Sequence, residues 1–155
     1  MTGQVSGILI AEQTAADCQP LSAVTAHAGK GLVGDRYYAP QGSIASSTNS
    51  NADFEITLID QAHIDAFNQQ SGQQYGGADF RRNIVTKGID LNQFEGQEFM
   101  VGEVRLKGIS LCEPCAFLAD LLGKDVVKLM LHKAGLRAQI LNDGKIQLSD
   151  KVTAI

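Results

Sequence analysis

At 155 residues, with 44% hydrophobic and 19% charged side chains, the chain has a globular balance, not a disordered one, and is long enough to bury a core without disulfide staples. A net charge of −4 excludes a general electrostatic footprint for nucleic acid, although a local group of arginines can still hold a small anion. Three cysteines, an odd number, fit thiols kept free in a reducing compartment; with no basic leader and no long apolar run at the start, a single cytoplasmic domain over residues 1–155 without a membrane span is expected.

Gln4 to Ala11 and Ala23 to Ala28 read as short strands able to open a sheet, separated by a polar connection that carries Cys18 and Pro20. Residues 29–38 follow as a glycine-rich turn with mixed charge and two aromatics. The Ser/Asn/Gly-rich run from Gln41 to Asn51 reads as a mobile loop. Phe54 to Ile59 alternates as a half-buried strand does. Asp60 then caps a helix of about three turns, with Ala62, Ile64 and Phe67 among its apolar residues, that ends near Gly72.

Further strands are expected at Asn83–Thr86, Gln97–Val101 and Val104–Leu111, with Gly102-Glu103 turning the second of these into the third. A short helix opens at Pro114 and another runs from about Asp125 to His132. Leu136 to Leu141 is a strand that the Asn142–Lys145 turn pairs with Ile146–Leu148. Strands outnumber helices and arrive in hairpins, so the expected class is mainly β with a few short helices, closed as a β-barrel.

The stretch with the clearest chemical promise is Ser110-Leu-Cys-Glu-Pro-Cys-Ala-Phe-Leu-Ala-Asp-Leu-Leu-Gly123. Proline is tolerated at a first helical position and glycine just past a helix end, which places Cys115 in a first helical turn. Unpaired backbone N–H groups and the helix dipole there favour thiolate over thiol, the form that acts as nucleophile and metal ligand. Cys112-Glu-Pro-Cys115 also admits half of a zinc site, a redox pair, or two buried thiols packing as small hydrophobes. Gly31-Leu-Val-Gly-Asp-Arg36 lacks the spacing and ending of a phosphate-binding loop and reads as a turn. Arg81-Arg82-Asn83 sets two guanidinium groups directly before a strand, where they clamp an anion or lie solvated. Arg137, among strand residues near His132 and Lys133, either completes an anion pocket or pairs with a surface acid.

The ordered set Gly31-Leu-Val-Gly-Asp-Arg36, Arg82-Asn83-Ile84, Gly96 to Gly102, Cys112-Glu-Pro-Cys115 and Gly135-Leu-Arg-Ala138 resembles the MOSC domain, the molybdenum cofactor sulfurase C-terminal domain, in a small stand-alone form. The resemblance runs from about residue 4 to the C-terminus. It implies a MOSC-type β-barrel linked to binding of a molybdenum–pterin cofactor and to sulfur handling for metal–sulfur centres. Carried over, Cys115 accepts a sulfane sulfur as a persulfide or ligates molybdenum, and Cys112 is a neighbouring thiol that could resolve the persulfide. Arg82 and Asn83 match the family's Arg-Asn pair and fall to the cofactor's phosphate or pterin side, with Arg36, Arg81 and Arg137 as further cofactor-binding candidates.

Two departures stand out: Tyr37 occupies a position where many relatives have histidine, and Asp53 one where they often carry a basic residue. Multidomain relatives add a pyridoxal-phosphate-dependent desulfurase, a cofactor this domain alone is not expected to hold. A separate sulfur donor such as a cysteine desulfurase is therefore implied, with the molybdenum cofactor or a molybdoenzyme as acceptor. The resemblance also admits a molybdenum-dependent reductase of N-hydroxylated substrates fed by partner electron donors. Outside enzymology stands a non-catalytic module that binds an anion or a protein.

Overall fold

The computed structural model describes residues 2–13, 16–38, 55–114 and 116–155. The elements run β1 (Thr2–Ile10), β2 (Gln19–Pro20), β3 (Ala23–His27), β4 (Gly31–Leu32), β5 (Ile56–Asp60), α1 (Gln61–Ser71), α2 (Gly77–Phe80) and β6 (Ile84–Lys87). A 3-10 turn at Leu91–Phe94 leads to β7 (Glu98–Val101), β8 (Val104–Leu111), α3 (Ala116–Leu122), α4 (Asp125–Leu129), β9 (Leu136–Ile140), β10 (Gly144–Gln147) and β11 (Lys151–Ala154).

Seven strands close into a barrel in the order β1, β11, β7, β8, β9, β5, β6 and back to β1. Closure removes the exposed edges that a sheet of this size would otherwise present. The alternation read from the sequence sets the barrel interior: Val104 and Leu106 of β8 and Leu136, Ala138 and Ile140 of β9 point inward. They meet Val5, Ile56, Leu58 and Ile84 in one core, which Phe94 and Phe99 complete, stacked with centroids 4.3 Å apart. Each of the valine, leucine, isoleucine and phenylalanine side chains contributes roughly 1.5–3 kcal/mol by leaving water.

β5 is buried at all five positions because helices cover its outer face. Ile59 there packs with Ile64, Phe67, Phe80, Leu118, Leu122, Val126 and Met130 in a second core between barrel and helices. The chain reaches that layer through α1 and α2, which carry it from β5 to β6 as a parallel pair within an otherwise antiparallel barrel. α1 stops where expected, at Gly72 in the left-handed conformation with φ +76°. Asp60 occupies its N-cap position, but the carboxylate makes no cap bond; Oδ2 instead accepts from the Leu91 amide at 3.2 Å.

Two pairings differ from the sequence reading. β10 pairs with β3, Gly144 opposite Ala26 and Gln147 opposite Ala23, and not with β9 across the Asn142–Lys145 turn. Both edges of β9 are already taken by β8 and β5, so the chain leaves the barrel after β9. β1 and β3 accordingly belong to different sheets, β3 forming a small one with β4 and β10. The second short helix also ends earlier than expected, at Leu129, with His132 in the left-handed region at φ +61°. The β7–β8 hairpin through Gly102-Glu103 forms as read, Val101 opposite Val104. The Gln41–Asn51 run and Phe54 lie outside the described residues. No helix among the described residues is long and apolar enough to cross a membrane.

Candidate functional site

Leu58 of β5 pairs with both Ile84 and Leu136, and Leu111 pairs with Leu136, so the start of β6, the end of β8 and the start of β9 meet at one rim. This brings Arg82, Cys112 and Ala134-Gly135 together. The Cys112 amide donates to the Gly135 carbonyl at 2.7 Å, and Arg82 Nε donates to the Ala134 carbonyl at 2.7 Å. Gly135 is required for this crossing: its φ is +118°, and a Cβ there would run into the Leu58 carbonyl.

Cys112 is 1% exposed. Burial pushes its thiol pKa up, while Arg82 and Arg137 pull it down and Glu113 adds to the rise. Arg137 lies on β9 opposite Thr57 on one side and Ser110 on the other. Two guanidinium groups, Arg82 from the turn before β6 and Arg137 from β9, therefore act on the Cys112 sulfur. Glu113, the next residue, is held by His132, whose amide and Nδ1 each lie 2.7 Å from its carboxylate oxygens. Cys115 itself lies outside the described residues; its chain neighbours Pro114 and Ala116, the latter opening α3, are described.

Asn83 stands beside this group in a different role. It is 3% exposed; its Oδ1 accepts from the Thr57 amide at 3.0 Å and Nδ2 donates to the Leu9 carbonyl at 3.1 Å. Its backbone exchanges further bonds with Leu9 and Thr57. The side chain thus knits β1, β5 and β6 together where Arg82 leaves the barrel.

Arg36 and Arg81 gather on the other side. Arg81 sits in the left-handed region at φ +61° after α2, and this turns it away from Arg82. Its Nη1 donates to the Ala16 carbonyl at 2.7 Å and its guanidinium lies 5.6 Å from the Phe117 ring centroid. Arg36 Nη2 reaches the Arg81 carbonyl at 3.5 Å. Cys18 is the thiol these two cations act on: burial raises its pKa, and Arg81 then Arg36 oppose the rise. The four arginines do not converge on one point; they divide into a pair at Cys112 and a pair at Cys18.

Several supporting contacts were not evident from the sequence. Asp35, 4% exposed, accepts from the Ala11 amide at 3.1 Å and from Arg36 at 3.2 Å, pinning the Gly-Asp-Arg turn to the end of β1. A carboxylate between a turn glycine and an arginine was the available signal. Tyr37 carries the Arg36 guanidinium over its ring at 4.5 Å. The Glu113–His132 pair left no local signal, since 19 residues separate its members.

The donor chemistry suits an anionic, sulfur-bearing cofactor. Guanidinium groups match phosphate oxygens, and thiolates are soft ligands. Among the described residues there is no group of three or more His, Cys, Asp or Glu able to hold a metal ion.

With the rim at Cys112 and the Gly-Asp-Arg turn described, the chain belongs to the MOSC domain family, whose sequence model matches residues 17–153. The family is linked in general to molybdenum cofactor binding. The fold is similar to that of the YuaD protein from Bacillus subtilis, with a TM-score of 0.83 at 16% identity over 98% of this chain and 94% of that one. It is also similar to YiiM from Geobacillus stearothermophilus (TM-score 0.75, 16% identity, 99% and 75% covered) and YiiM from Escherichia coli (0.70, 16%, 98% and 69%). No curated protein matches the chain.

Proposed function

We propose that this protein binds a molybdenum–pterin cofactor, or carries sulfur toward it, through Cys115. The observation that supports the reading is the rim where Arg82 Nε holds the Ala134 carbonyl and the Cys112 amide holds the Gly135 carbonyl, with Arg82 and Arg137 both opposing the rise that burial gives the Cys112 thiol pKa. Arg82 and Arg137 take the anionic side of the cofactor by charge-assisted hydrogen bonds. Asn83 contributes by holding β6 where Arg82 emerges, and Glu113, clamped by His132, steadies the loop. When bound, the cofactor would supply a metal centre able to bind sulfur or oxygen; the protein's part is to anchor and orient it.

In the carrier role the Cys115 thiolate attacks the outer sulfur of a donor persulfide. The donor's S–S bond breaks, its own sulfur leaves as thiolate, and the sulfane sulfur remains on Cys115. A cysteine desulfurase fits as donor and a molybdenum cofactor or molybdoenzyme as acceptor. Cys112, buried and with its pKa raised, is a poor nucleophile where it stands and fits the secondary role of resolving a persulfide.

The test is the molybdenum and pterin content of wild type and Cys115→Ser purified side by side from molybdate-fed cells, with persulfide uptake from a desulfurase as the second readout. Cofactor or persulfide in the wild type alone is the expected result. Equal loading of the two proteins, or none in either by both readouts, overturns the reading.

A further inference from the structure

On the outer face of the barrel, Gln4 of β1 stands directly opposite Lys87 of β6 on one side and Lys151 of β11 on the other. Neighbouring strands lie about 4.8 Å apart, so the two lysine backbones are only about 10 Å from each other and their flexible stems can meet over Gln4. All three side chains are exposed, and neither lysine belongs to an ion pair among the described residues. A cavity of about 430 Å³ opens at this row, lined also by Thr2, Ser149 and the glycines Gly3 and Gly88. That size suits a small molecule.

No carboxylate lines the cavity. The acids nearest the two lysines along the chain are committed elsewhere: Asp150 Oδ2 accepts from the Gln147 amide at 2.8 Å, and Asp90 Oδ1 from the Asn92 amide at 3.0 Å. The floor is backbone. A Cβ on Gly3 would run into Ile89 and the Lys87 carbonyl, so glycine there lets the turn at Gly88 close against β1. Ser149 is the strained member of the lining, in the left-handed region at φ +73°, where glycine or asparagine is the usual residue. Its amide donates to the Val5 carbonyl at 2.9 Å, which ties the turn to β1, and a side chain is kept at the cavity where none would suit the backbone better.

Two ammonium groups with no acid between them match a doubly charged oxyanion, which offsets their mutual repulsion. Beyond the lysines, the hydroxyls of Thr2 and Ser149 and the amide of Gln4 offer hydrogen bonds to a polar body. We infer that this cavity binds a small phosphate monoester with a hydroxylated body, its dianion held by Lys87 and Lys151 across Gln4 and its hydroxyls by Thr2, Gln4 and Ser149. The site lies at the opposite end of β1 from Leu9 and Asn83, and the inference is independent of what Cys115 carries.

The test is a titration with ribose 5-phosphate, followed by calorimetry and by the NMR shifts of the Gly3, Gly88 and Ser149 amides. These should move saturably, ribose should leave them in place, and inorganic phosphate should bind about tenfold more weakly because it forgoes the hydrogen bonds to the body. Lys87→Gln and Lys151→Gln should each weaken ribose 5-phosphate binding about tenfold, the loss of one charge-assisted hydrogen bond. Lys107→Gln, which removes the same charge from an exposed position on β8, should bind as wild type does. Ser149→Gly relieves the backbone, so it should melt no lower in urea than wild type and still bind more weakly, a combination that a purely structural serine would not produce. No saturable shift in the wild type, shifts that persist unchanged when both lysines are replaced by glutamine, or inorganic phosphate binding as tightly as the ester overturns the inference.

Discussion

Arg81 and Arg82 are neighbours in sequence, yet they serve two neighbourhoods that differ in almost every physical respect. Arg82 turns to the Ala134 carbonyl and a cysteine that is 1% exposed, inside a seam of three strands. Arg81 turns to the Ala16 carbonyl and a half-buried cysteine on a loop, against an open cavity. The first arrangement is held by strand pairing and a glycine that admits no side chain. The second is held by one loop carbonyl and an aromatic ring. The lesson is that one dipeptide, split by a left-handed backbone at Arg81, distributes positive charge to a rigid seam and to an adaptable pocket at once.

The largest expected effect breaks the rigid side. Gly135→Ala places a Cβ into the Leu58 carbonyl at φ +118° and should cost about 3 kcal/mol or more by urea denaturation. Gly123→Ala, at φ +97° after α3 but with nothing within 4 Å, should cost only about 1 kcal/mol. Comparable losses at the two glycines would remove the contrast between a packed crossing and an open helix end.

A smaller effect separates the thiols themselves. Cys112→Ser buries a hydroxyl in a desolvated site and should lose about 1–2 kcal/mol. Cys18→Ser, on the half-buried loop, should stay within about 0.5 kcal/mol of wild type. Equal losses in thermal or chemical melts would mean the two sites are packed alike.

The smallest effect is a pH dependence. Burial raises both thiols above their ordinary 9.0, so above that pH the unfolded chain releases protons that the folded chain keeps. Their contribution to stability is complete below 9.0 and is lost as pH rises through the folded values, with a slope of at most about 1.4 kcal/mol per pH unit for each thiol. Cys112→Ala should flatten the alkaline decline more than Cys18→Ala, because its sulfur is the more completely dehydrated. Urea melts at stepped pH check this; an unchanged slope in Cys112→Ala would show that its ionisation is not linked to folding.

Much of this molecule was legible locally. Turn glycines and alternation marked β8 and the β7–β8 hairpin, and the 3.6-residue pattern with Gly72 behind it marked α1. The Gly-Asp-Arg turn, Arg-Asn pair and Cys-x-x-Cys spacing, taken in order, pointed to the MOSC family. The β10 pairing was misread because an Asn-Asp-Gly turn signals a hairpin only if the preceding strand still has a free edge, and edge occupancy is not a local property. Asn83 was read for its chemistry, whereas its hydrogen bonds to Leu9 and Thr57, 74 and 26 residues away, make it a tie between strands.

By itself the sequence determined which residues are strand, helix and turn over most of the chain, and which family's motifs they carry, because periodicity and glycine conformations act over a few residues. Only the tertiary structure decided the strand order by which the expected barrel closes, the partner of β10, and the parting of Arg81 from Arg82 toward different cysteines. Those outcomes depend on contacts between segments tens of residues apart, where the entropy of closing the chain is repaid by burial that no short window contains.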